Sequence, residues 1–277
     1  MARRQEPGRL RLQPGTLGED PPVDEERFLG GDLTPYVRVG DTVRHPAGPW
    51  TPTVRRLLTH LRERGFEGVP EPLGFDSEGR ETLKFIEGEV GYYPLPTYVW
   101  SAEMLGDIAR LIRRLHDASA DLPTSDADHW RLPERRPADI ICHNDLAPYN
   151  VVFRGGRPVG VIDFDNASPG PREWDLAYAA YRFVPLADPE NPDVPFVPLP
   201  VQSGRLDLFL ENYGSEISRE RVVELLPARL EALIEFTGVR AETEEDELRD
   251  GLKEHRNIYE RDLLYVRKNV DALMRSA

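Results

Sequence analysis

Two short apolar runs, Asn150–Phe153 and Val159–Ile162, flank the polar turn Arg154-Gly155-Gly156-Arg157-Pro158. β-branched runs around a Gly-Gly turn predict a β-hairpin. Upstream, the pattern over 25–44 predicts three short strands, with tight turns at Gly30-Gly31 and Gly40-Asp41. A further strand is expected over Glu81–Ile86, after the turn Asp76–Arg80. Helical spacing takes over at Thr51-Pro52, where Val54, Leu57, Leu58 and Leu61 recur on one face up to Gly65. A second stripe, Met104, Leu105, Ile108, Leu111, Ile112 and Leu115, follows Ser101, a residue suited to cap it. Polar, proline-containing stretches at 121–138 and 184–200 predict a loop and an exposed excursion. Helix is expected from about Glu173, and again near 203–213, 218–238 and 242–275. Residues 1–24 show no periodicity and are expected to form a loose arm. Strands come early and helices late, so the expected class is α+β.

Composition narrows the function. The chain has 277 residues and a formal net charge of -14. No Lys/Arg-rich tract offers a basic face, which argues against a nucleic-acid partner. The acidic excess is compatible with a cationic small substrate, and equally with solubility alone. No apolar run approaches the roughly 20 residues that span a bilayer, so no membrane partner is expected. The first residues carry charge with no apolar core behind them, unlike a secretory signal. Cys142 is the single cysteine, and a reducing cytoplasm is the expected compartment. Neighbouring Cys142 and His143 would point to opposite faces of a strand, so the thiol reads as buried and structural.

The candidate chemistry clusters at one end of the predicted hairpin. His143, Asp145 and Asn150 precede its first strand, and Asp163 and Asp165 follow its second. In an antiparallel pair the start of one strand lies beside the end of the next. The pattern therefore brings an amide and carboxylates to one sheet edge. Magnesium takes hard oxygen ligands, usually one or two carboxylates with phosphate oxygens. Asn150 and Asp163 can supply such oxygens, with Asp165 as a further candidate. Asp145, in an irregular loop, is placed to take the proton of an attacking hydroxyl. The arrangement suits phosphoryl transfer from a magnesium nucleotide, ATP or GTP.

The residues His143-Asn144-Asp145-Leu146-Ala147-Pro148-Tyr149-Asn150, then Val161-Ile162-Asp163-Phe164-Asp165, then Trp174-Asp175-Leu176-Ala177 resemble the aminoglycoside phosphotransferase (APH) family and its choline kinase-like relatives. The resemblance runs over about residues 25–275. It implies a protein kinase-like bilobal fold: a small β-rich lobe over 25–88, and a larger, mainly helical lobe over 89–277. It implies a hinge after the strand ending at Ile86, with adenine against the backbone of about Phe85 to Glu87. It also implies a Gly30-Gly31 loop over the phosphates, His143 and Asp175 supporting the catalytic loop, and a packed His116. The acceptor, a small molecule bearing a hydroxyl, would lie among the C-terminal helices, where Glu211 or Glu260 could face a substrate amine.

One position departs from the pattern. A kinase carries a Lys on its third strand, paired with a Glu on the next helix. Here Arg44 stands on the strand, and no acid occurs near Thr53-Val54-Arg55. Arg38 is the alternative phosphate contact, and Lys84 a further one. The departure leaves a rival reading open: a catalytically impaired pseudokinase acting as a binding or regulatory module. A metal-dependent hydrolase fits less well, because the motif lacks the His/Cys cluster of a zinc site.

Overall fold

The computed structural model describes residues 25–29, 35–214, 216–243 and 246–275. The expected arm at 1–24 and the Gly30-Gly31 turn lie outside the described residues. Five strands form an antiparallel sheet: β1 (Glu25–Leu29), β2 (Pro35–Val39), β3 (Thr42–His45), β4 (Pro72–Phe75) and β5 (Glu81–Lys84). Their spatial order is β1-β2-β3-β5-β4. Between β3 and β4 the chain forms α1 (Thr51–Glu63), which buries Val54, Leu57, Leu58 and Leu61 as their spacing predicts. Pro52 lies in its first turn, where a missing N–H costs nothing. Thr51 does not cap by its side chain. Its hydroxyl accepts from the Gly48 N–H instead, at 2.9 Å.

After β6 (Glu89–Val90) and an aromatic 3₁₀ turn (Thr97–Trp100), α2 (Ala102–Ser119) runs through the centre. Its hydroxyl cap is the expected one: Ser101 accepts from the Met104 N–H at 3.1 Å. All six predicted stripe residues are buried.

The predicted hairpin is β8 (Val151–Arg154) with β9 (Arg157–Val161), joined through Gly155-Gly156. Both glycines have positive φ, 57° and 71°, which a two-residue turn matched to strand twist requires. The turn is thus two residues, not five, because Arg154 pairs directly with Arg157. β6 adds to the other edge of β8. A second, two-stranded ladder joins β7 (Ile140–Cys142) to β10 (Ser168–Gly170), with Cys142 opposite Ser168. The whole motif from His143 to Ala167 is a loop whose ends are zipped together.

The remainder is helical: α3 (Arg172–Phe183), α4 (Leu199–Tyr213), α5 (Arg219–Thr243) and α6 (Asp246–Leu273). The expected class, α+β, is the observed one. The 184–200 excursion is less exposed than its prolines suggest. Val184, Leu186, Ala187 and Asn191 are buried. Asp262 of α6 pins it, accepting from the Asp188 N–H at 2.8 Å and Asn191 Nδ2 at 2.7 Å. Among the described residues no helix is long and apolar enough to cross a membrane.

Candidate active site

The loop between β7 and β8 is held from below by one carboxylate. Asp175, fully buried at the start of α3, accepts the His143 N–H at 2.7 Å and the Asn144 N–H at 2.8 Å. His116 Nε2 meets the same carboxylate at 3.1 Å, and His116 Nδ1 meets Tyr213 Oη at 2.8 Å. Burial alone would raise the Asp175 pKa, but the His116 hydrogen bond, the two imidazoles and the His143 N–H outweigh it and hold it below the usual value. Asn144 has φ 64°, a conformation uncommon outside glycine. Its side chain compensates. Nδ2 donates to Asn166 O and Ser168 Oγ, both at 2.9 Å, and Oδ1 accepts from Trp174 Nε1 at 3.0 Å.

His143 is engaged through both ring nitrogens. Its Nε2–H donates to Ile162 O at 2.9 Å, and its Nδ1 accepts the Asp145 N–H at 3.2 Å. Those two partners fix one neutral tautomer. Burial lowers its pKa and keeps it neutral. The ring packs edge-on against Phe164, centroids 4.6 Å apart. One imidazole thus couples the loop that carries Asp145 to the segment that carries Asp163.

Asp145 is 8% exposed. Its Oδ2 accepts from Asn150 Nδ2 at 2.9 Å, and the same amide also bonds Asp145 O at 2.9 Å. Its Oδ1 accepts from Tyr149 Oη at 2.9 Å, and that hydroxyl lies 2.9 Å from Tyr178 Oη. Burial and then the Asp145 charge push the Tyr149 pKa well up, so the phenol keeps its proton and donates. The sequence reading gave Tyr149 no role of its own. A hydroxyl four residues past a candidate base, on a turn closed by Pro148, was the available signal.

Asn150 and the segment that carries Asp163 adjoin at one end of the hairpin, where the Ile162 N–H donates to Asn150 O at 2.9 Å. Asp163 also has positive φ, 65°. Such strain in a non-glycine residue costs on the order of 1–3 kcal/mol and gathers at functional sites. Because the Asn150 amide nitrogen is committed to Asp145, its Oδ1 is left for other partners. The donor set is therefore hard oxygen throughout, the kind magnesium takes. Among the described residues no three His, Cys, Asp or Glu side chains are grouped to hold a metal.

The N-terminal sheet brings Arg38, Phe85 and Glu87 together. The Arg38 guanidinium stacks 3.7 Å over the Phe85 ring and pairs with Glu87 at 3.4 Å. Two backbone groups at this edge are already engaged: Phe85 N–H donates to Asp41 O at 2.7 Å, and Glu87 O accepts from Arg154 Nε at 3.1 Å. Arg44 does not swing freely, as its lack of a helix partner had suggested. It pairs with Asp76 at 3.7 Å. Its neighbour on β3, His45, points to the opposite face of the strand. His45 is 3% exposed and bonds Glu81 of β5 at 3.1 Å, while Arg55 of α1 reaches the same carboxylate at 3.2 Å. The acid absent from α1 is thus supplied by a neighbouring strand. Burial alone would lower the His45 pKa; the Glu81 hydrogen bond and the charges of Asp165 and Glu81 raise it overall.

A cavity of about 260 Å³ opens beside Asp145, between the catalytic loop and helices α5 and α6. Tyr149, Tyr178, Trp174, Arg135 and Arg229 line it. Glu211 and Glu260 do not, and Glu260 pairs with Arg256 at 3.0 Å.

Comparison with known proteins agrees with this geometry. The sequence profile of the phosphotransferase enzyme family, APH, matches residues 122–197, which contain the loop, the hairpin and Asp175. The trifolitoxin immunity protein of Rhizobium leguminosarum bv. trifolii is 37% identical over 200 residues, 69% of this chain and 74% of that one. The chain belongs to the APH phosphotransferase family. The fold of this APH chain is kinase-like. It superimposes on the choline/ethanolamine kinase family protein from Mesorhizobium loti with a TM-score of 0.56, at 16% identity, covering 91% of this chain and 94% of that one. It superimposes on the Plasmodium vivax ethanolamine kinase with a TM-score of 0.59, at 11% identity, covering 90% and 83%.

Proposed function

We propose that this APH-family chain transfers the γ-phosphate of ATP or GTP, with magnesium, to a hydroxyl of a small molecule. One observation supports the reading: Asn150 is tied at once to Asp145, through Nδ2 to Oδ2 at 2.9 Å, and to the segment that carries Asp163, through the Ile162 N–H to Asn150 O at 2.9 Å. Asn150 and Asp163 would hold magnesium, with Asp165 as a further contact. The ion, when bound, supplies charge neutralisation on the β and γ phosphates. Asp145 orients the acceptor hydroxyl. Tyr149 Oη and Asn150 Nδ2 fix the orientation of that carboxylate. The hydroxyl oxygen forms the new bond to phosphorus as the bond to the nucleoside diphosphate breaks, and the hydroxyl proton passes to Asp145. Tyr149 holds that carboxylate in one rotamer. His143 and Asp175 keep the loop in place.

Arg38, Phe85 and Glu87 mark the edge proposed for the base of the nucleotide. In place of the expected Lys–Glu pair, the buried His45 with Glu81 takes that part, on the face of β3 that feels the charge of Asp165, and Arg44 stands on the other side of the strand. Gly30 and Gly31 keep their proposed part over the phosphates. The similarity to a trifolitoxin immunity protein supports a toxic molecule as the acceptor.

Calorimetric titration with a non-hydrolysable ATP analogue, with and without magnesium, tests the reading. Magnesium-dependent binding in the wild type, lost in Asp163→Ala, is the expected result. Absence of nucleotide binding in the wild type would favour the second reading, a binding module without turnover. The engagement of Arg44 with Asp76 is the observation on that side.

A further inference from the structure

The cavity beside Asp145 carries charge of the sign opposite to the chain as a whole. Two guanidiniums share the indole of Trp174. The Arg135 Cζ lies 3.6 Å from the ring centroid and the Arg229 Cζ lies 5.5 Å from it. Arg229 also sits 4.3 Å over Tyr178, whose hydroxyl is bonded to Tyr149. Arg229 is only 5% exposed. One of its NH2 groups donates to Asn144 O, and its Nε meets no acceptor among the described residues. Neither arginine forms a salt bridge with a carboxylate of the described residues. Arg135 feels both the cavity burial and the charge of Arg229, and its pKa is lowered. Glu235 lies on the same lining but is exposed, and Asp145 is engaged with Tyr149 and Asn150.

Bringing two guanidiniums into one half-dry aromatic cavity is unfavourable unless an anion joins them. Arginine offers planar, bidentate recognition of a carboxylate, and its bonds to one are charge-assisted. The aromatic walls add room for an apolar or ring-bearing body. We propose that the acceptor is an anion: a hydroxyl-bearing molecule whose carboxylate seats against Arg135 and Arg229 while its hydroxyl faces Asp145. This rests on the phosphotransfer reading for the hydroxyl's role, but the anion site stands or falls by itself. It runs against the cationic acceptor that the acidic composition allowed. The -14 net charge is a sum over the whole chain, whereas the cavity lining is set by residues far apart in sequence.

The test uses the full chain and five probes: two acids, their two amides and choline. Tropate and N-benzoylserine each carry an alcohol, a phenyl ring and a carboxylate. Their neutral amides differ only in lacking the charge. Calorimetric titration is expected to show each acid binding at least about tenfold tighter than its amide, as charge-assisted bonds to two guanidiniums imply. The preference is expected to collapse toward parity in Arg135→Gln and to survive in part in Arg135→Lys. Equal binding of acid and amide by the wild type, tighter binding of choline, or no binding of any probe overturns the proposal. Phosphate transfer from ATP is measured in parallel. Acid preference without transfer leaves the anion site standing and removes the phosphotransfer reading. Transfer to choline with no acid preference does the reverse.

Discussion

Replacing Asp175 by alanine should cost more than any surface change and should unfold the catalytic loop first. The carboxylate is fully buried and receives three donors: the N–H groups of His143 and Asn144 and the His116 imidazole. A buried donor left without an acceptor costs about 1–3 kcal/mol, and bonds to a charged acceptor lie at the upper end. Three such donors give about 4–6 kcal/mol once some water entry is allowed. That is a large part of the roughly 5–15 kcal/mol by which a domain is stable. Asp175→Asn retains one carbonyl oxygen but turns an NH2 toward a backbone N–H, so it should recover only about 2 kcal/mol of the loss. Differential scanning calorimetry and tryptophan fluorescence would follow the change. At about 2–4 °C per kcal/mol for a chain of this size, Asp175→Ala should lower the midpoint by roughly 10–20 °C. A shift below about 3 °C would refute the argument, because it would mean that the loop finds its hydrogen bonds elsewhere.

Further predictions concern chemistry, pH and the thiol. Asp145→Asn should lower phosphate transfer by about 10²–10⁴-fold while nucleotide binding persists; wild-type turnover in a coupled ADP-release assay would remove Asp145 from its role. Tyr149→Phe frees Asp145 Oδ1 and should cost about tenfold in turnover with little change in thermal midpoint, since the ring stays packed against Tyr93 at 6.4 Å. Burial lowers the His143 pKa from 6.5, so the unfolded chain takes up this proton first. The stability it contributes is full above about pH 6.5 and drains as pH falls below. His45, whose pKa is raised, acts with the opposite sign, losing its contribution as pH rises above 6.5. The pH dependence of the midpoint in wild type minus that in His143→Asn isolates the first effect, and parallel curves would sink it. Cys142 is buried, and burial raises its pKa well above 9.0, so iodoacetamide should label it slowly in the folded chain and rapidly in urea.

What the sequence showed and what it hid divide along a physical line. Periodicity reports which face of an element meets the core, and the α1 and α2 stripes were readable because each is a local, repeated pattern. The candidate residues of the loop were readable as a group because His143, Asp145, Asn150 and Asp163 lie within one closed segment. Cross-strand partners were not. His45 finds Glu81 only through the β3–β5 register, which pairs them directly. No spacing rule joins residues that meet by strand order β1-β2-β3-β5-β4. Arg135 and Arg229 are hidden for the same reason: one precedes β7, the other lies in α5, and Trp174 joins them only in space. Net charge says little about the cavity, since it sums over every residue and not over the lining.

The two halves of the candidate site differ in how they are held. Asp145, Asn150 and Asp163 are set by bonds that need no ligand: the Asp175 carboxylate below, the Ile162–Asn150 bond beside, and the His143 bridge between. Such preorganisation is what electrostatic stabilisation of transferring phosphate requires. On the side proposed for the nucleotide stands His45, whose charge depends on Glu81 and Asp165 around it. A lysine carries its charge unconditionally at neutral pH; a histidine carries it only while those carboxylates hold the proton there. Arg55 already offsets part of the Glu81 charge. Substitution on this side should therefore alter nucleotide affinity and its pH dependence, while the geometry around Asp145 stays unchanged.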